Sequence, residues 1–121
     1  MRRPVIGVVD DDATIRRVVR SVLEADGFDV VEAADGPGAL ELVGRSGGAR
    51  PGVVVLDVMM PGMDGVEVCR RLDPTRVKTV MLTARDDPIT RDASFAAGAT
   101  AYLVKPFSAI ELLDSVERLA G

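Results

Sequence analysis

Short apolar runs alternate with amphipathic stretches along the whole chain. Val5-Ile6-Gly7-Val8-Val9 is continuous and apolar, as a buried strand is. Ile15, Val18, Val19, Val22 and Leu23 follow at helical spacing, and Gly27 stands where a helix C-terminus favours glycine. Phe28 to Ala33 reads as a second strand. Ala39, Leu40, Leu42 and Val43 suggest a short helix, closed by the flexible stretch Gly44-Arg45-Ser46-Gly47-Gly48. Val53-Val54-Val55-Leu56 is the clearest buried strand. A helix is predicted from about Gly65 to Leu72, a strand over Val77 to Leu82, and a helix over Ile89 to Ala97 ended by Gly98. Ala101 to Val104 is a fifth strand, and Ala109, Leu112, Leu113, Val116 and Ala120 mark one face of a last helix.

Five strand-helix units result. Continuous apolar strands separated by helices imply a parallel sheet covered on both faces. Right-handed crossovers leave few arrangements, and a doubly wound α/β sheet of five strands is the expected one. With 121 residues, the chain has the size of one domain and can bury roughly two-thirds of its unfolded surface. Aromatic residues make up only 3%, so the core must be aliphatic.

Composition removes several functions. No apolar run approaches the roughly 20 residues of a membrane span, and the first apolar run meets Asp10 too soon for a secretory signal. A net charge of −4 and a pI near 4.8 offer no overall attraction to nucleic acid or anionic lipid. The chain has no histidine and a single cysteine, Cys69. Zinc centres of the usual kind, Ser-His-Asp and Cys-His catalysis and an internal disulfide therefore fall away. A reducing, cytoplasmic setting is expected. Cys69 shares a helical face with Leu72 and reads as a small buried hydrophobe.

In a doubly wound sheet, sites form at the carboxyl ends of the strands. Strand 1 ends in Asp10-Asp11-Asp12, strand 3 in Asp57, strand 4 in Thr83, and strand 5 in Lys105 followed by Pro106. Taken singly, each has an ordinary reading: Asp12 is a helix N-cap, Thr83 a turn residue, Lys105 a solvated lysine. Their convergence is what calls for chemistry. Two unit charges 4 Å apart repel by about 4 kcal/mol at an effective dielectric near 20. A divalent cation held by oxygen ligands offsets that repulsion, and Mg²⁺ suits a cage of one or two carboxylates completed by water and phosphate. Lys105 supplies a second positive charge.

These segments resemble the receiver domain of bacterial two-component response regulators, over essentially the whole of residues 1–121. The resemblance rests on Val8-Val9-Asp10-Asp11, on Val55-Leu56-Asp57-Val58-Met59-Met60-Pro61-Gly62-Met63-Asp64-Gly65, on Leu82-Thr83-Ala84, and on Tyr102-Leu103-Val104-Lys105-Pro106-Phe107. It implies a flavodoxin-like fold of three α/β/α layers with strand order 2-1-3-4-5. It implies that Asp57 accepts a phosphoryl group from a histidine kinase or a histidine phosphotransfer protein. Mg²⁺, with Mn²⁺ able to substitute, would be held by Asp11, Asp57 and the Met59 carbonyl, with Asp10 acting through water. Lys105 would pair with the phosphoryl oxygens. Thr83 would move toward them, Tyr102 would swing inward with it, and the surface of helix 4, strand 5 and helix 5 would change for a downstream protein or an output domain. The Lys105-Pro106 bond would be cis. Met59 and Arg85, at rim positions two residues after Asp57 and Thr83, would control water attack on the phosphate, and the bulk of Met59 points to a long phosphate lifetime.

Three rivals are weaker. An Asp-nucleophile phosphohydrolase places a second Asp two residues on, where this chain has Met59. A flavodoxin needs a hydroxyl- and glycine-rich phosphate loop where this chain has Asp10-Asp11-Asp12. A non-switching interaction module has no need of Asp57, Thr83 and Lys105 together. The expected product is thus a phosphorylated switch, not a conventional enzyme, with no direct nucleic-acid or membrane binding by this segment. Winged-helix regulators often carry an Asp-Asp pair before the switch tyrosine and an Arg in the last helix for dimerisation. Thr100-Ala101 and Asp114-Ser115 depart from that pattern, so a monomer is expected, with dimerisation on phosphorylation left open. Gly65 should permit a tight loop, and Met59 and Met63 should lie on the surface near the site.

Overall fold

Every predicted apolar run is a strand, and every amphipathic stretch between them a helix. The computed structural model describes residues 3–46 and 50–120. The order is β1 (Val5–Val9), α1 (Ala13–Ala25), β2 (Asp29–Ala33), α2 (Gly36–Val43), β3 (Val53–Asp57), α3 (Gly65–Arg70), β4 (Lys78–Thr83), α4 (Pro88–Ala96), β5 (Ala101–Val104) and α5 (Ala109–Ala120). The strands form one parallel sheet in the order β2-β1-β3-β4-β5, the flavodoxin-like arrangement. Gly47 and Gly48 of the expected flexible stretch lie outside the described residues.

Alternation along the central strand builds both cores. Val53 and Val55 face a layer containing Val19 and Leu23 of α1 and Leu112 and Val116 of α5. Val54 and Leu56 face the other layer, with Leu42 of α2 and Val68 and Cys69 of α3. A strand buried on both sides can be apolar at every position, which is why β3 was the clearest strand in the sequence.

Aspartates start four of the five helices. The carboxylates of Asp12, Asp35, Asp64 and Asp87 accept from the backbone N–H of Thr14, Gly38, Glu67 and Thr90 at 2.8, 2.8, 2.9 and 2.8 Å. Helix α5 uses a capping box instead. The Ser108 hydroxyl accepts from Glu111 N–H at 3.0 Å, and the Glu111 carboxylate accepts from Ser108 N–H at 3.2 Å. Asp12, expected as a cap, is therefore spent on α1 and leaves Asp10 and Asp11 for other work.

Four expectations need correction. Val18 sits at helical spacing with the α1 core residues, yet is 53% exposed, because the core stripe of α1 narrows to Val19 and Leu23 with Ile15 and Val22 at its edge. Ala109 is exposed rather than core-facing, since the buried face of α5 begins only at Leu112. Helix α3 stops at Arg70, where Arg71 N–H and Leu72 N–H turn back to Val68 and Cys69 in a tighter final turn. Met63 is half-buried, not on the surface: it packs over Gly36, where a Cβ would lie 2.8 Å from the Met63 Cβ.

Gly65 is required by a close approach. An added Cβ would fall 2.3 Å from the Asp57 carbonyl oxygen and 2.8 Å from Val58 Cα, while Gly65 N–H donates to the Val58 carbonyl at 2.9 Å. The start of α3 thus lies directly on the backbone that carries Asp57. Gly65→Ala should cost about 1–3 kcal/mol, read as a lowered urea midpoint at unchanged m-value. A midpoint within error of the wild type would show that the contact relaxes freely.

Candidate functional site

Strands β1 and β3 are neighbours, so their carboxyl ends bring Asp10 and Asp57 side by side. Both are buried, at 1% and 4% exposure, while Asp11 is exposed. One carboxylate oxygen from each of Asp10, Asp11 and Asp57 can be chosen so that all three lie within 4.8 Å of one another.

Lys105 answers from the end of β5. Its Nζ donates to Asp10 Oδ2 at 3.2 Å and to Asp57 Oδ1 at 3.4 Å. The lysine is aimed by its own backbone, whose N–H donates to the Thr83 carbonyl at 2.8 Å, and the peptide bond to Pro106 is cis. The other contacts are local. Asp10 Oδ1 accepts from Asp12 N–H at 2.9 Å, and Asp57 Oδ1 from Met59 N–H at 3.3 Å.

One ammonium does not balance three carboxylates. Burial, and then the charge of Asp10, push the Asp57 carboxyl up to about 6 against the pull of Lys105. Three hard oxygen donors with an unmet need for positive charge fit a divalent cation of the Mg²⁺ type better than a soft metal, for which the acid cluster offers no thiolate or imidazole. Beside the acids an open groove of about 440 Å³ is lined by Asp11, Met59, Met60, Pro61, Gly62 and Asp64. Met59 forms its rim at 52% exposure, as expected.

Thr83 and Tyr102 meet at one residue, Arg85. The buried Thr83 hydroxyl accepts from Arg85 N–H at 3.0 Å, and the Tyr102 hydroxyl donates to the Arg85 carbonyl at 2.8 Å. The Tyr102 ring lies 6.2 Å from Phe95 of α4, with the Arg91 guanidinium 5.3 Å from its centroid. Asp10, Asp11, Asp57 and Lys105 therefore converge, while Thr83 stands at the end of the neighbouring strand β4 and Tyr102 is linked to it through Arg85.

Sequence reasoning passed over Arg16. Its Nη1 donates to the Asp10 carbonyl at 2.6 Å and its Nε to Glu32 on β2 at 3.2 Å, and Glu32 also holds Arg20. These pairings join α1 to β2 beneath the site, and no local spacing announces a partner sixteen residues away. Cys69 is buried as expected, and burial pushes its thiol up, away from reactivity.

In a doubly wound sheet the carboxyl ends of the strands are where ligands bind, and here they carry an acidic pocket. Residues 6–117 match the family model described as the response regulator receiver domain, and the chain belongs to that family. "Response regulator MprA" of Mycobacterium leprae is 47% identical over 113 residues, which cover 92% of this chain and 48% of that protein. The chain thus spans about half the length of the curated relatives it matches. Among solved structures, the Vibrio cholerae chemotaxis protein CheY4 superposes with a TM-score of 0.89 at 33% identity, covering 98% of this chain and 99% of that one. The BeF3-activated DrrB receiver domain gives 0.85 at 34% identity, with 98% and 97% covered.

The charge imbalance sets a pH dependence. Asp57 is raised in the fold from 3.8 to about 6, so its neutral form favours the folded state. That stability is complete below pH 4 and is lost as pH rises through about 6, a change on the order of 2–3 kcal/mol. In metal-free protein, Asp57→Asn should therefore raise the melting temperature by several degrees at pH 8 and leave it unchanged below pH 4. Adding Mg²⁺ at pH 8 should narrow the gap. Equal melting temperatures of the two proteins at pH 8 would show that the buried carboxylates are not in electrostatic conflict.

Proposed function

We propose that residues 1–121 act as one phosphorylation-dependent switch, with Asp57 as the phosphoacceptor. The observation that carries this is the buried Asp57 carboxylate, set beside Asp10 and Asp11 and bridged to Asp10 by Lys105. An Asp57 oxygen attacks phosphorus on the phosphohistidine of a kinase or phosphotransfer protein. The P–O bond forms, the P–N bond breaks, and the imidazole leaves. Phosphoryl transfer leaves little covalent work to the protein, so positioning and charge compensation do most of it. Mg²⁺, or Mn²⁺ in its place, would be held by Asp11, Asp57 and the Met59 carbonyl, with Asp10 through water, and supplies charge compensation for the phosphoryl oxygens. Lys105 leaves its carboxylate partners and pairs with the phosphoryl group from the other side.

Thr83 has to release Arg85 N–H to turn its hydroxyl toward the phosphoryl oxygens. The carbonyl of the same residue holds Tyr102, so that movement of Arg85 frees the tyrosine to swing inward. The elements affected are α4, β5 and α5. The weak anchoring of α4 supports the reading: within it only Ser94 is buried, and Ile89 is 83% exposed. A change from 1% to 99% active needs about 5.5 kcal/mol of differential stabilisation. Two or three charge-assisted hydrogen bonds contribute part of it, and a downstream protein or output domain that prefers the active surface contributes the rest. The role is that of a signalling switch in the cytoplasm, not of a turnover enzyme. Among the described residues no helix is long and apolar enough to cross a membrane.

Intact mass after incubation with acetyl phosphate tests the assignment. One phosphoryl adduct should appear with Mg²⁺, vanish on chelation, and be absent from Asp57→Ala. No adduct under any condition would leave a receiver fold that does not switch. Met59 offers no polar group to orient water, so the adduct should decay over many minutes. A half-life of seconds would sink that expectation.

A further inference from the structure

At the amino end of the sheet, opposite to the acids, lies a second cleft of about 150 Å³. Arg50 before β3, Arg71 after α3 and Arg76 before β4 line it, over a floor of Leu72, Val77 and Val43. Among the described residues, the arginines without a carboxylate partner are Arg17, Arg50 and Arg76, and two of these three face this one cleft. Arg50 is half-buried there. Arg71 is held from behind: its Nε donates to Glu67 at 2.9 Å, which leaves its terminal amino groups free among the described contacts.

The nearby acids have partners of their own, and only Asp73 keeps its charge against the three arginines. Glu67 is shared between Arg70 and Arg71. Asp73, the one carboxylate in the lining, accepts both the N–H and the hydroxyl of Thr75 on its Oδ1, at 2.9 and 2.6 Å. In a chain of net charge −4 the cleft is a local excess of positive charge. Its floor, with Leu72 and Val77 buried, limits hydration on one side and strengthens charge-assisted hydrogen bonds. Guanidinium forks match the oxygens of a phosphate group bidentately, and the volume suits a ligand of that size.

We propose that this cleft binds a phosphate group, carried by the free ion or by a small phosphate monoester. Arg50 and Asp57 are seven residues apart along an extended chain, on the order of 20 Å, so occupancy does not compete with the phosphoacceptor. The cleft is a ligand site separate from the switch chemistry, and it stands or falls independently of it.

Backbone amide NMR of the whole chain without Mg²⁺ tests it, with titrations of inorganic phosphate and of phenyl phosphate against sodium chloride at matched ionic strength. Saturable shifts are expected around residues 50 and 71–77, with a dissociation constant of about 1 mM. The double variant Arg50→Gln/Arg76→Gln should bind at least tenfold more weakly. Its amide spectrum, unchanged away from the cleft, would certify that it is folded. Equal affinity for the two ligands assigns the cleft to the free ion; tighter phenyl phosphate assigns it to an ester that also covers Leu72 and Val77. Shifts that chloride reproduces, shifts confined to the Asp57 end, or undiminished binding by the double variant would overturn the proposal.

Discussion

Two carboxylates buried side by side, Asp10 and Asp57, share one ammonium from Lys105, and that sharing leaves the site short of positive charge. The shortfall organises the molecule. It raises Asp57 toward neutrality, suits the pocket to a hard cation, and holds Lys105 between the two acids. On the proposed reading, a phosphoryl group on Asp57 brings a new anion to this ammonium. The rest of the fold holds this conflict in place. Parallel pairing of β1, β3, β4 and β5 sets the strand ends in one row, and the contact of Gly65 with the Asp57 carbonyl fixes where α3 begins.

The output side is built on opposite terms. Where the acid pocket is buried and heavily bonded, α4 presents Ile89 and Phe95 to solvent and buries only Ser94. A single residue, Arg85, joins the two regimes, with its N–H on Thr83 and its carbonyl on Tyr102. Rigid chemistry on one side and loose packing on the other are what a two-state element needs, since the energy to be gained at the site is only a few hydrogen bonds.

Much of this was legible along the chain. Strands buried on both faces announce themselves as unbroken apolar runs, so β1, β3 and β4 could be placed within a residue of their observed ends. The acids and Lys105 could be found because they directly follow those runs, and the strand-end rule gives such positions a meaning. Helix faces were read less well. Spacing put Val18 and Ala109 among core residues, but how wide a stripe is covered depends on the neighbouring helix, which local pattern does not encode.

Sequence by itself determined the alternation of elements, the aliphatic core, the acid-hydroxyl-lysine set and the absence of histidine chemistry, because these follow from residue type and local period. Only the tertiary structure decided the partners across long separations: Arg16 on the Asp10 carbonyl and Glu32, Met63 over Gly36, Thr83 and Tyr102 on one residue, Arg85, and the arginine-lined cleft at the far end of the sheet. Each joins positions brought together by strand order, and a hydrogen bond or close contact is set by distances in space that spacing along the chain does not specify.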